Sequence, residues 1–281
     1  PTDKTSLCLF GASPNTGNQG VNALCWSALQ GLGSRTNAAL HVFRYGDAGE
    51  TAVVPGSAPP LLFESAGMAG GRRFWRKNHL WRAQMSANAR LTQNPIVKLV
   101  KNSNAVLDVS GGDSFTDLYG EKRFQAMCKT KRLALDNGRP LILLPQTLGP
   151  FVDPAKKAEA VAILAAATAI WVRDQKSYDF LKEELGNRFD PSRHHLGVEM
   201  AVLLPATAPA TPLPEPIAAW LSNPDTPVAG LNVSGLLCRN AEQARRDFGL
   251  KENHTNQLHA AAKAILDSDP AMKLALISHV I

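Results

Sequence analysis

The residues of this sequence that could do chemistry sit in short polar stretches, each following an apolar run. In the first, Gly11 to Gly20, glycines and Asn18 precede a helical pattern, so Asn18, Gly20 and the free N–H groups at the helix start could hold an anion. A tight structural turn explains the same residues. The spacing of Gly11, Gly17 and Gly20 fits neither the dinucleotide pattern GxGxxG nor the P-loop, and no lysine follows. The second stretch, SGGDSFTDLYG at 110–120, has Gly111 and Gly112 for close backbone approach and Asp113 at a strand mouth. Asp113 is the candidate catalytic base toward a hydroxyl; the alternative is a cap on the following helix. Asp117 and Tyr119 read as turn residues. In LPQTLGPF at 144–151, Gln146 either binds a ligand hydroxyl or locks the turn. In WVRDQKS at 171–177, Arg173 offers a bidentate guanidinium to a carboxylate or phosphate, a reading preferred to a salt bridge with Asp174. Asn232 and Ser234 in GLNVSGLL, and His279 in SHVI, stand at strand ends of the second half and are expected to face the first half across a cleft. For His279 the default is a satisfied strand-end histidine.

Strands must position these loops. Residues 7–12, 39–45 and 105–110 read as strands, and LILLPQ from Leu141 is a continuous apolar run of the kind buried on both faces of a parallel sheet. AIWVRD repeats the pattern. Helical stretches at 21–32, 121–137, 154–168 and 177–185 alternate with these runs, which argues for a doubly wound α/β domain with ligand loops at the strand ends. Residues 1–204 are expected to form this first Rossmann-like domain. Seven prolines between 205 and 227 resist helix and sheet alike, so that segment is expected to be an extended linker. Residues 228–281 then begin a second Rossmann-like domain. One and a half βαβ units do not close a domain, so this half is expected to be incomplete in the chain.

The chain has 281 residues and a formal charge of +6, which favours anionic partners. No acidic residue occurs between Glu64 and Asp108, while Arg72, Arg73, Arg76, Lys77, Arg82 and others crowd beside Phe74, Trp75 and Trp81. This segment, 72–101, either rests on an anionic membrane surface or packs its tryptophans inward. No apolar stretch reaches the roughly 18 residues of a spanning helix and no leader is evident, so a cytoplasmic location is expected, and on the first of the two readings peripheral membrane contact through residues 72–101. Cys8, Cys25, Cys128 and Cys238 are scattered, which points to buried free thiols and to no metal site. Nucleic-acid binding is not expected, because the basic stretch lies in no recognised motif.

In order along the chain, TGNQGVNAL, GGDSFTDLYG, LPQTLGPF, VRDQKS, GLNVSGLL and SHVI resemble the polysaccharide pyruvyl transferase family, over a span from Phe10 to Ile281. The resemblance implies a fold similar to GT-B glycosyltransferases, with phosphoenolpyruvate as donor and no metal or other cofactor. It implies an acceptor saccharide of a cell-wall or extracellular polysaccharide, or its lipid-linked precursor at the inner face of the membrane. The first domain would then serve the acceptor and the second the donor. In that chemistry Arg173 and the loop from Asn18 to Gly20 hold anionic groups of the donor, and Asp113 orients or deprotonates an acceptor hydroxyl. Two departures stand out. Family members tend to carry aspartate where GVEMAVLL has Glu199, and their late Arg-Leu-His motif has no counterpart here, its position being expected beyond Ile281. Two other function classes share the expected architecture. A nucleotide-sugar glycosyltransferase would bind a nucleoside diphosphate instead of phosphoenolpyruvate, and a saccharide-binding relative would not turn over.

Overall fold

Short apolar runs become the strands of one sheet: β1 (Ser6–Phe10), β2 (Ala39–Tyr45), β3 (Thr51–Val53), β4 (Leu62–Met68), β5 (Ala105–Asp108), β6 (Leu141–Gln146), β7 (Ala169–Val172) and β8 (His194–Leu196). The computed structural model describes residues 5–49, 51–54, 60–73, 75–88, 94–206, 211–238, 241–247 and 249–280. Strand order is β3-β4-β2-β1-β5-β6-β7-β8. Only β3 runs antiparallel to its neighbour; the remaining pairs are parallel. From β1 the chain winds outward through β2 to β4, then returns to β5 on the other side of β1 and winds the opposite way. The C-terminal ends of β1 and β5 therefore flank a topological switch point, the place where open α/β sheets leave a crevice for ligands.

Helices cover both faces: α1 (Gln19–Gly33), α2 (Leu80–Asn88), α3 (Pro95–Asn102), α4 (Glu121–Asp136), α5 (Pro154–Ala166) and α6 (Gln175–Leu185). Their starts follow local rules. Asn94 and Asp153 accept backbone N–H bonds just before a proline in the first turn, and Asp174 caps α6 through Ser177 N. The alternation of side chains along a strand divides the core in two. Cys8 and Phe10 of β1, with Val106 of β5, join the cluster beneath α3 to α6, whereas Leu9 and Leu107 join the cluster that includes Leu24, Cys25 and Leu29 of α1. All four residues of β5 are buried.

The chain divides into two compact units, residues 1–16 with 20–204, and residues 17–19 with 205–281. The second contains α7 (Glu215–Ser222), β9 (Val228–Ser234), α8 (Gly235–Cys238), α9 (Ala241–Asp247), α10 (His254–Asp267) and β10 (Lys273–Val280), with β9 and β10 paired in parallel.

Some expectations need correction. The proline-rich segment is not uniformly extended, because α7 forms inside it. Pro214 sits at its N-cap and Pro216 in its first turn, positions whose N–H groups have no helical partner to lose. Two strands, β3 and β4, also lie between the runs read as consecutive. Cys8, Cys25 and Cys128 are buried free thiols, whose burial pushes each pKa up to about 12, but Cys238 is only half-buried.

Candidate active site

The loops after β1 and β5 meet backbone to backbone. Gly11 accepts a hydrogen bond of 2.6 Å from Gly111 N, and at its φ of +81° a Cβ would stand 2.2 Å from Ser110 N, so no other residue fits. Ser110, Gly111 and Gly112 follow one another at φ of 45°, 62° and 89°. For Ser110 this conformation costs on the order of 1 kcal/mol or more, and a buried network fixes it. Ser110 Oγ donates to Asp108 Oδ1 at 2.7 Å, and Thr130 Oγ1 donates to Asp108 Oδ2 at 3.0 Å. Lys131 Nζ donates to Asp108 Oδ1 at 2.8 Å and to Ser110 Oγ at 2.5 Å, and stands 4.2 Å from the centre of the Phe115 ring. The Lys131 and Asp108 side chains are 0% and 1% exposed. A pair so deeply desolvated is stable only because each partner has further hydrogen bonds.

This loop delivers Asp113 to the surface. Its Oδ2 accepts the Tyr119 hydroxyl at 2.9 Å, while Ser114 Oγ, 3.4 Å from Oδ1, accepts from Arg123 Nη2 at 3.1 Å. Partial burial, then the adjacent Asp113 charge and its hydrogen bond, push the Tyr119 phenol up to about 12, so it stays a proton donor toward Asp113. Tyr119 is therefore more than a turn residue. Asp117 is the structural member of the pair, accepting from Val152 N and Asp153 N. Arg123, in the first turn of α4, has a weak signal in the sequence, a cation shortly after the Gly120 N-cap.

Arg173 follows β7 and approaches from the other side. Its Nε donates to Thr147 Oγ1 at 2.9 Å and its Nη1 bonds Glu199. A Cβ on Gly112 would lie 2.9 Å from Arg173 Nη1, so that glycine admits the guanidinium to the loop. Asp174 does not pair with Arg173 through a short contact. Burial opposes its ionisation, but hydrogen bonds from Ser177 N, Thr147 Oγ1 and Ser177 Oγ prevail and hold its carboxyl below the usual range.

Gln146 is a correction. Its side chain is fully buried, with Nε2 donating to Asp108 O at 2.9 Å and Leu144 O at 3.2 Å, so it ties β6 to β5 and has no surface to offer a ligand. The structure brings Gly111, Gly112, Asp113 and Arg173 together. Gly20 lies in the first turn of α1, one turn before Leu24, whose Cδ1 would lie 3.0 Å from a Cβ on Gly112. Asn18 immediately precedes α1 and is half-buried. Asn232, Ser234 and His279 belong to the second unit: Asn232 is exposed on β9, Ser234 ends that strand, and His279 lies at the register irregularity of β10 between Ser278 and Val280.

Beside Tyr119 opens a cavity of about 960 Å³, walled by Tyr45, residues 68–73, Trp81 and the first turns of α4. Trp75 and Trp81 are 63% and 51% exposed, which removes the inward-packed alternative for the basic segment. Phe74 and Arg90 of that segment lie outside the described residues. Among the described residues no helix is long and apolar enough to cross a membrane.

Polar groups collected at the strand ends beside a sheet switch point, in a chain of two Rossmann-type α/β units, define the GT-B-like class. Within that class the model of the polysaccharide pyruvyl transferase family matches residues 38–279, and the chain belongs to this family. Among solved structures, a protein described as a UDP-N-acetylglucosamine 2-epimerase from Listeria monocytogenes is similar at a TM-score of 0.52 and 12% identity, over 97% of this chain and 61% of that one. A trehalose-6-phosphate protein from E. coli, bound with UDP-2-fluoro glucose, is similar at a TM-score of 0.47 and 10% identity, over 98% and 64% of the two chains. This chain thus spans less than two thirds of the length of these structures. No curated protein matches the sequence.

Proposed function

We propose that the protein transfers a pyruvyl group from phosphoenolpyruvate to a saccharide and closes it as a ketal. The observation that carries this reading is the placement of an exposed carboxylate, Asp113, and a guanidinium, Arg173, on either side of Gly112 at the switch point of the sheet. Family membership supplies the reaction class. In the net reaction two hydroxyl oxygens of the acceptor form bonds to the central carbon of phosphoenolpyruvate, and the bond from that carbon to the phosphate oxygen breaks. The methylene carbon gains one proton to become a methyl group. Of the two hydroxyl protons released, one balances that gain and the other leaves with inorganic phosphate.

Asp113 accepts the proton of the attacking hydroxyl, assistance of a kind worth ~10²- to 10⁴-fold. Tyr119 donates to its carboxylate and orients it. Arg173 holds the carboxylate or phosphate of the donor, a charge-assisted contact that Glu199 and Thr147 keep in place. Within the first unit the backbone N–H of Gly20, in the first turn of α1, adds a polar contact to the donor's anionic groups. No metal or other cofactor enters this reading. The acceptor is a sugar of a cell-wall or extracellular polysaccharide or of its lipid-linked precursor, and the exposed Trp75 amid the cations of 72–101 favours presentation at an anionic membrane surface inside the cell.

The test is turnover. The full-length protein is incubated with phosphoenolpyruvate and a panel of neutral and charged oligosaccharides, with phosphate release and product mass followed together. The reading expects phosphate release that depends on the saccharide, and a product heavier by one pyruvate ketal. Transfer of a glycosyl group from a nucleotide sugar, with phosphoenolpyruvate inert, would overturn it.

A further inference from the structure

The cavity beside Tyr119 gathers five cations at one concave surface. Arg72 and Arg73 reach its wall from the turn after β4, and Lys122, Arg123 and Lys129 from α4. Among the described residues none of these five forms an ion pair with a carboxylate, whereas Arg76, Arg132, Lys156, Lys157 and Arg173 each have one. Glu121 is the only carboxylate among the described lining residues, and Lys156 Nζ holds it at 3.0 Å. Like charges gathered at one concave, partly apolar surface repel one another and raise its attraction for an anion. Between the cations stand Tyr45, Trp81 and Tyr119, flat amphipathic faces of the kind that cover a sugar ring. Gly46 and Gly71 leave open space, with no atom within 4 Å of where a Cβ would stand. At one edge Tyr119 hands the cavity over to Asp113, its hydroxyl 2.9 Å from the carboxylate.

We infer that this cavity receives the acceptor, and that the acceptor is an anion: a saccharide bearing a phosphate or carboxylate group at a distance from the hydroxyls that react. Its charged group faces Arg72, Arg73, Lys122 and Lys129, a sugar ring lies along Trp81, and the reacting hydroxyls point toward Tyr119 and Asp113. The inference rests on the proposed function only for what happens at Asp113. The preference for an anionic saccharide stands or falls on binding alone.

The experiment measures binding without turnover, using tryptophan fluorescence of the full chain titrated with N-acetylglucosamine, N-acetylglucosamine 1-phosphate and glucuronate. The charged sugars are expected to bind at least about tenfold more tightly than the neutral one, with an advantage that shrinks as salt is raised from low to physiological strength. Preference for the phosphate or for glucuronate then assigns the charged group, and either preference supports the site. The double variants Arg72→Ala/Arg73→Ala and Lys122→Ala/Lys129→Ala should lose the advantage while still binding the neutral sugar. Should either variant fail to fold, the salt dependence of the unaltered protein decides. Equal affinity for charged and neutral sugars, or an advantage indifferent to salt, overturns the inference. So does full displacement of the sugar phosphate by phosphoenolpyruvate, which would make the cavity the donor's site. Tight binding of charged sugars without any pyruvyl transfer would leave this inference intact and sink the proposed function instead.

Discussion

Lys131 and Arg123 belong to the same helix, about two turns apart, and meet opposite surroundings. Lys131 points under the loop after β5, where Asp108, Ser110 and the Phe115 ring take up its charge and no solvent reaches it. Arg123 lines the cavity, donates to the Ser114 hydroxyl at 3.1 Å and shares that lining with Arg72, Arg73, Lys122 and Lys129. The first arrangement fixes a strained backbone. The second is a charge at a concave surface that no carboxylate among the described residues takes up.

The contrast can be broken most forcefully at Lys131. Lys131→Met leaves Asp108 buried without its counter-charge, and the loss of stability should be about 3–5 kcal/mol, read from urea unfolding. A loss below 1 kcal/mol would mean that the network does not hold the loop. Asp113→Asn should leave unfolding unchanged and lower pyruvyl transfer by ~10²- to 10⁴-fold, measured as saccharide-dependent phosphate release. Tyr119 sharpens the comparison through pH. A phenol whose folded-state pKa is raised from 10.0 to about 12 contributes stability that is fully present below pH 10 and is lost as pH climbs through 12. The unfolding midpoint should therefore fall across that window, and Tyr119→Phe should flatten the fall. Arg123→Ala has the smallest effect, a change in unfolding free energy within about 0.5 kcal/mol, because no carboxylate depends on it.

How much of this is legible in the sequence follows from where each element is buried. β6 reads as an unbroken apolar run between turn residues, β5 and β7 nearly so, and the loops after them carry Asp113 and Arg173. β4 is hidden, because LFESAGM has Glu64 and Leu62 exposed and needs Gly67 where a Cβ would meet Ala48 N at 2.3 Å. No periodic pattern announces such a strand. Gln146 misleads for a different reason: its position at a strand end suits a ligand contact, and only the tertiary approach of Asp108 O turns it inward. The cavity is the least legible feature, being assembled from Tyr45, residues 68–73 and residues 119–129, which nothing in their local sequence brings together. Composition gives the cations of 72–101; the fold lines one cavity with two of them, Arg72 and Arg73, together with Arg123 and Lys129.

The account depends most on Arg173 as the holder of the donor's anion. Calorimetric titration of phosphoenolpyruvate into the unaltered protein and into Arg173→Ala tests it directly. The Arg173–Glu199 pair is partly exposed and should contribute less than about 1 kcal/mol to folding, so the variant remains folded for the comparison. The account predicts that the variant binds phosphoenolpyruvate at least about tenfold more weakly. Equal affinity in the two proteins, or no binding to the unaltered one, would contradict it.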